Sequence, residues 1–175
     1  IIEAFGPEDE RRAAYSQAAE RFRTVLEELV AELPRLPPPL TPGAGFDGPT
    51  APRMAAATAP HADVVVTPLS AVACAVADDM LAALVAGRRL PRAYVNSGGD
   101  AALHLGEGES LSLAVDGHGA QVGAPRREIR FADRVRGVAT SGWRGRSFSL
   151  GIADAVTVAA ASAAAADVAA TLIAN

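Results

Sequence analysis

The chain has 175 residues, is half hydrophobic and carries a formal net charge of -4. This acidic balance excludes binding to nucleic acid or to an anionic membrane by overall charge, and favours a small-molecule partner. All 16 basic residues are arginine, so the chain supplies neither a Schiff-base lysine nor the lysine of a P-loop.

The single cysteine, Cys74, excludes an internal disulfide and a cysteine zinc site. On its apolar helix it is most simply a small buried residue. No uninterrupted apolar run approaches the roughly 20 residues that cross a bilayer, so we expect a cytoplasmic protein. The chain begins at Ile1 and ends at Asn175, which is compatible with truncation at both termini and leaves open a preceding signal sequence.

The N-terminal part predicts a strand and then a long helix. The strand ends at Gly6-Pro7, and three acidic residues after it suit the first turn of a helix. Apolar residues then recur at helical spacing, at Ala18, Phe22, Val25, Leu26, Leu29 and Leu33. Residues 34–52, rich in Pro and Gly, predict either a mobile lid or a plain connector, and their few charged groups favour the connector.

The middle of the chain predicts a short helix over 53–59, a strand over 64–66 and a helix from Thr67 to Gly87. Residues 93–105 read as two strands about the turn Gly98-Gly99. This turn is either a hairpin corner or a backbone site for phosphate, flanked by Asn96 and Asp100. Further strands are predicted over 111–115 and 134–139, joined by a polar loop.

The C-terminal part predicts a turn over 140–147, followed by an alanine-rich helix that includes Asp154 and Thr157 near its start. Spacing of three residues would place these two side chains on one helical face, at the positive end of the helix dipole. This end of a helix also favours an anion, so we expect the ligand site here, with Asp154 and Thr157 as optional metal ligands.

Arginine is concentrated just before this helix, which predicts a pocket for an anion. Within the span only Glu128 and Asp133 are acidic. Arg144 and Arg146 lie beside the glycines of the turn and are the preferred ligands. The full set is Arg126, Arg127, Arg130, Arg134, Arg136, Arg144 and Arg146.

Three segments, in this order, resemble the ApbE flavin transferase superfamily. Residues 94–100 (YVNSGGD) resemble its V-N-x-G-G-D/N turn, residues 139–142 (ATSG) its A-T-S-G turn, and residues 153–155 (ADA) its A-D-A helix start. Residues 71–78 also resemble the helix I-A-K-G-Y-A-V-D that precedes them in the family. Residues 144–157 are similar to a short branch of ApbE-like proteins.

The resemblance implies an α+β fold, with a mainly antiparallel sheet flanked by long helices, in a single domain over 1–175. It implies FAD or FMN as ligand, with magnesium as a further cofactor and Asp154 and Thr157 as metal ligands. A homodimer is a further expectation. The ligand-binding residues would be Asn96, Gly98, Gly99, Asp100, Thr140, Ser141, Gly142, Arg144 and Arg146.

The chain also departs from the ApbE pattern. The family lysine falls on Ala73, its threonine falls on Val158, and its H-x-x-D-P-x-T-G segment is missing before Gly151. We therefore expect a protein that binds a flavin or another phosphate-bearing nucleotide in a cleft between the Gly-Gly turn and the C-terminal helix, without active flavin transfer. The alternative is a non-catalytic accessory or interaction protein.

Overall fold

The computed structural model describes residues 1–36, 45–64, 66–114, 126–145 and 150–175. Within these ranges the chain forms four α-helices and seven strands, and every pair of neighbouring strands is antiparallel. The predicted class, α+β with a mainly antiparallel sheet flanked by helices, is confirmed.

Five strands form the central sheet, in the order β1-β2-β3-β6-β7. They are β1 (Ile2–Phe5), β2 (Arg92–Ser97), β3 (Asp100–Leu105), β6 (Gly137–Ser141) and β7 (Val156–Ala160). The remaining two strands, β4 (Ser110–Ala114) and β5 (Arg126–Arg130), form a separate two-stranded sheet. Ile129 of this small sheet is buried with Leu103 and Leu105, so the small sheet covers one face of β3.

The helices are α1 (Glu8–Glu32), α2 (Thr50–Thr58), α3 (Val72–Val85) and α4 (Ala163–Ala174). Helix α3 packs on β2 and β3, whereas α4 packs on β6 and β7. The core between these helices and the sheet is built largely of small residues, among them Cys74, Ala102, Ala139, Ala163 and Ala166. Small side chains allow the helices to lie close to the sheet.

Two features fix the start of α4. A Cβ atom on Gly137 would collide with the main chain of Ser162 and Ala163, so only glycine lets the helix start touch β6. The Asp78 carboxylate of α3 accepts hydrogen bonds from the backbone N–H groups of Ala163 at 3.0 Å and Ala164 at 2.9 Å. Burial nevertheless raises the pKa of Asp78. The first turn of α4 is therefore capped by its neighbouring helix rather than by solvent.

The C-terminal prediction is wrong in an important respect. The segment that begins with Asp154 does not form a helix, because Val156–Ala160 pair with β6 as strand β7 and the helix begins only at Ala163. Tertiary pairing with β6 satisfies the backbone of residues whose alanine content alone favours a helix. Asp154 and Thr157 are therefore not in the first turn of α4.

Smaller corrections concern the boundaries. Residues Val64 and Val66 are not in a strand, and the connector ends at Thr50, where α2 begins. The strand predicted over 134–139 begins instead at Gly137, after Arg134 adopts a left-handed conformation with φ 57°. Residues 37–44 of the predicted connector, the last residue of the strand predicted over 111–115, and the predicted polar loop through Gly117 and Gly123 lie outside the described residues.

Among the described residues, one helical stretch, Pro68–Val85, is long and apolar enough to cross a membrane by length and composition. Half of this stretch is buried inside the fold, where α3 contacts β2 and β3. The core helix of a folded domain meets the same criterion.

Candidate functional site

The Gly98-Gly99 turn joins β2 to β3 and requires glycine. The two residues have φ values of 72° and 121°, in the region that side-chain-bearing residues rarely adopt. The Asn96 side-chain oxygen accepts a hydrogen bond from the Gly99 N–H at 3.1 Å. Apart from its chain neighbours, no heavy atom of the described residues would lie within 4 Å of a Cβ on Gly99, so the turn is open at this residue.

The second predicted segment lies next to this turn. Strand β3 pairs with β6 through Ala101 opposite Val138. One residue before Ala101, an Asp100 carboxylate oxygen accepts a hydrogen bond from the Thr140 backbone N–H at 2.8 Å. The structure therefore brings together the two segments in which the sequence placed the ligand site.

The chain turns sharply after Ser141. Gly142 has φ 150°, and a Cβ atom there would collide with the main chain of Asp154 and Ala155. The Trp143 N–H donates to the Ala153 carbonyl at 3.1 Å, which holds the incoming and outgoing chains side by side. Gly142 is thus required by close backbone approach.

A surface group of three side chains lies at this turn. Asp154 accepts a hydrogen bond from the Trp143 indole N–H at 2.7 Å and lies 3.3 Å from the Arg144 Nε. The Arg144 guanidinium also lies over the Trp143 ring, 5.0 Å from its centroid. Arg144 and Asp154 both remain about half exposed, so the Arg144 charge is shared with Asp154 but stays accessible to a ligand.

The predicted metal pair is not supported by this geometry. Thr157 belongs to β7, where its hydroxyl lies 2.8 Å from the Thr140 hydroxyl. Successive residues of a strand point to opposite faces, so a spacing of three residues does not bring two side chains together. Asp154 already binds an indole N–H and a guanidinium, which leaves it poorly suited to hold a cation with Thr157.

The predicted arginine cluster is dispersed. Arg126, Arg127 and Arg130 belong to β5 of the small sheet, and Arg130 pairs with Glu128 at 2.7 Å. Arg136 precedes β6, at the opposite end of this strand from Gly142. Arg144 is the one predicted arginine ligand that the described part of the chain places at the turn, and Arg146 lies outside the described residues.

A second group of polar side chains lies beneath the turn, between the helices and the sheet. It combines Cys74 of α3, Asp100 of β3 and Asp167 of α4. Their sulfur and carboxylate oxygen atoms all lie within 4.8 Å of one another. Three distant parts of the chain thus converge on one partly buried point.

Burial dominates the electrostatics of this group. The pKa of Asp167 is raised to about 6, chiefly by burial. A hydrogen bond with the Cys74 thiol acts to lower it, and the nearby Asp100 charge acts to raise it. Burial, followed by the Asp167 charge, also raises the pKa of the Cys74 thiol. Cys74 is therefore protonated at neutral pH and is not a nucleophile.

Ser141 is a further buried polar residue between the sheet and the helices. It is 4% exposed, and its Oγ has no hydrogen-bond partner within the described residues. Side chains alternate along β6, so Ser141 points to the same face as the core residue Ala139. The same alternation along β3 places Asp100 on the face of the core residue Ala102. The Ser141 hydroxyl therefore faces the layer that contains the Asp100 and Asp167 carboxylates.

This arrangement suits a hard divalent cation better than the predicted pair does. The two carboxylates are oxygen ligands of the kind that Mg²⁺ binds, whereas the protonated Cys74 thiol is not. Sequence reasoning identified Asp100 and Ser141 but missed Asp167. The available signal was a single carboxylate within the buried alanine face of α4.

Comparison with models of protein families identifies the family of the chain. Residues 1–175 match the family described as AbpE bacteria. No curated protein matches the chain. Because the match extends from the first residue to the last, the chain belongs to the AbpE bacteria family.

Proposed function

We propose that this protein binds a flavin or another phosphate-bearing nucleotide where the Gly98-Gly99 turn meets the segment from Thr140 to Asp154. The observation that carries the proposal is the hydrogen bond from the Thr140 N–H to Asp100, which fixes the two turns side by side. The resemblance of both turns to ApbE flavin transferases supports it. We place this activity in the cytoplasm.

The chemistry of the turns suits such a ligand. The open space at Gly99 lets a phosphate approach the turn closely, and Arg144 supplies an accessible positive charge. The half-exposed Trp143 ring offers an apolar surface for a planar base or isoalloxazine ring. Asp154 holds both Trp143 and Arg144 in place.

We further propose that magnesium binds to Asp100 and Asp167 rather than to Asp154 and Thr157. The Ser141 hydroxyl, which has no partner among the residues that the structure describes, supports this position because a buried polar atom without a partner is costly. A cation here would offset the repulsion between the two carboxylates. When bound, it would supply positive charge toward a phosphate.

The second candidate is a non-catalytic accessory or interaction protein. The protonated, fully buried Cys74 and the absence of lysine from the chain favour it over covalent catalysis by either residue type. Ligand binding without turnover would be its signature. Under either candidate we expect no transfer of FMN to a threonine-containing peptide.

Isothermal titration with FAD, FMN and riboflavin, each with and without magnesium, tests the proposal. Riboflavin is the matched control because it has the same ring system without phosphate. We expect FAD or FMN to bind at least about tenfold more tightly than riboflavin, since one charge-assisted contact contributes about 1.5 to 3 kcal/mol. Equal binding of all three, or binding of none, would contradict phosphate recognition.

Trp143 provides an independent measurement because it is the single tryptophan of the chain. A ligand at the turn should quench its fluorescence, and Arg144→Gln should weaken the quenching titration. Arg130→Gln is the matched control, since Arg130 lies on the separate small sheet. Equal weakening by both substitutions would indicate a general charge effect rather than a site at the turn.

A further inference from the structure

Helix α1 has an apolar stripe on its outer surface. The stripe consists of Ala19, Phe22, Leu26 and Val30 of α1 and of Leu33, the first residue of the 3-10 turn that follows, and is here called the α1 stripe. These residues recur every three or four positions and so lie along one side of the helix. Phe22, Leu26 and Val30 are 64%, 71% and 56% exposed. A row of large apolar side chains this exposed is typical of an interaction surface.

The orientation of the stripe is fixed by the neighbouring side of the helix, about a quarter turn away. There, Ala14, Ala18 and Val25 are buried in the core. Arg21 pairs with the buried Asp79 of α3 at 2.9 Å, which ties α1 to α3. Helix α1 cannot rotate the stripe inward without breaking these contacts, so the stripe faces outward in the folded chain.

The spacing of the stripe suits a second copy in antiparallel orientation. A two-fold axis at Leu26 would place Leu26 opposite Leu26 of the second copy, and Phe22 opposite Val30 of the second copy. The small Ala19 would then lie opposite the larger Leu33. Bulky side chains thus meet smaller ones at both ends, as interdigitated packing between helices requires.

The charges beside the stripe are also self-complementary. Arg23 and Glu27 are exposed on the same flank of the stripe, one helical turn apart. In the antiparallel pair equal flanks meet, and Arg23 would lie about two residues, or roughly 3 Å along the axis, from Glu27 of the other copy. The two-fold axis creates this opposite-charge contact twice.

We propose that the protein forms a homodimer through antiparallel packing of the α1 stripe against its copy. The contact lies on α1, whereas the proposed ligand site lies at the turns of the sheet, so the proposal does not depend on ligand binding. A contact of two helices is small among specific interfaces, and the dimer should dissociate on dilution.

Sedimentation velocity of the whole chain from about 10 µM to about 1 mM tests the proposal. We expect the mass to rise from one copy to two over this range. Leu26→Arg should raise the dissociation constant at least about tenfold, because two like charges would meet at the axis. Ala31→Arg is the control, since it adds the same charge at an exposed position of α1 off the stripe.

Exchanging the two charges distinguishes this antiparallel dimer from non-specific hydrophobic association. Arg23→Glu should weaken the dimer by about threefold or more, and adding Glu27→Arg should restore it, because the pair re-forms with reversed signs. Circular dichroism checks that each variant folds. If the parent stays monomeric at about 1 mM, the stripe does not bind a second copy, and the proposal is overturned. Dimerisation unaffected by Leu26→Arg would also overturn it.

Discussion

The Asp100 carboxylate accepts a hydrogen bond of 2.8 Å from the backbone N–H of Thr140, 40 residues further along the chain. This contact joins the turn after β2 to the end of β6. Asp100 also belongs to the buried group with Cys74 and Asp167. The same carboxylate therefore connects the outer turns with the interior.

Asp100→Ala should lower the free energy of unfolding by about 1 to 3 kcal/mol, because the Thr140 N–H loses its acceptor. Asp100→Asn keeps an oxygen at the same position and should cost less than Asp100→Ala. Urea denaturation at pH 7 measures both. Equal losses for the two variants would show that the negative charge, and not the hydrogen bond, is what matters.

Asp167→Asn should change how stability depends on pH. Burial raises the pKa of Asp167 from 3.8 to about 6, so ionisation of this carboxyl is less favourable in the folded chain. The stability contributed by its neutral form is complete below about pH 3.8 and is lost as the pH rises through about 6.

Relative to the parent, Asp167→Asn should therefore gain about 1 to 3 kcal/mol above pH 6 and little at low pH. Urea denaturation in the presence of a chelator, at a series of pH values, measures the difference. Asp154→Asn is the control, because Asp154 is exposed at the surface turn. A difference between Asp167→Asn and the parent that does not vary with pH would contradict the shifted pKa.

Magnesium that binds only the folded chain should raise its free energy of unfolding by about 2.7 kcal/mol at one hundred times the dissociation constant. The melting temperature of the parent should rise accordingly. Asp167→Asn should abolish this shift, and Asp154→Asn should leave it unchanged. Calorimetry with and without magnesium compares the three proteins. Loss of the shift in Asp154→Asn alone would place the cation at the surface turn instead.

Gly142→Ala should destabilise the chain by about 2 to 4 kcal/mol, because its Cβ would collide with the main chain of Asp154 and Ala155. Gly99→Ala is the matched comparison, since φ is also positive there but no atom lies near the added carbon. It should cost about 1 to 2 kcal/mol from backbone strain alone. Thermal unfolding of both variants would detect the difference.

The apolar pattern of α1 is sufficient to predict the helix but not to predict which of its sides is buried. Helical spacing and the acidic first turn predicted the helix, and α1 begins at the predicted Glu8. The pattern did not distinguish Val25, which is buried, from Phe22 and Leu26, which are exposed. Only contact with α3 determines which side of the helix enters the core.

The sequence by itself determined the features that depend on neighbouring residues, the Gly98-Gly99 hairpin and the long first helix, and its resemblance to a known family implied the α+β class. Tertiary structure decided that the alanine-rich segment after Asp154 pairs as β7, because β6 supplies hydrogen-bond partners that local propensity does not include. It also brought Cys74 and Asp167 to Asp100. Residues so far apart in sequence converge only through packing of the helices on the sheet, and no local spacing encodes that arrangement.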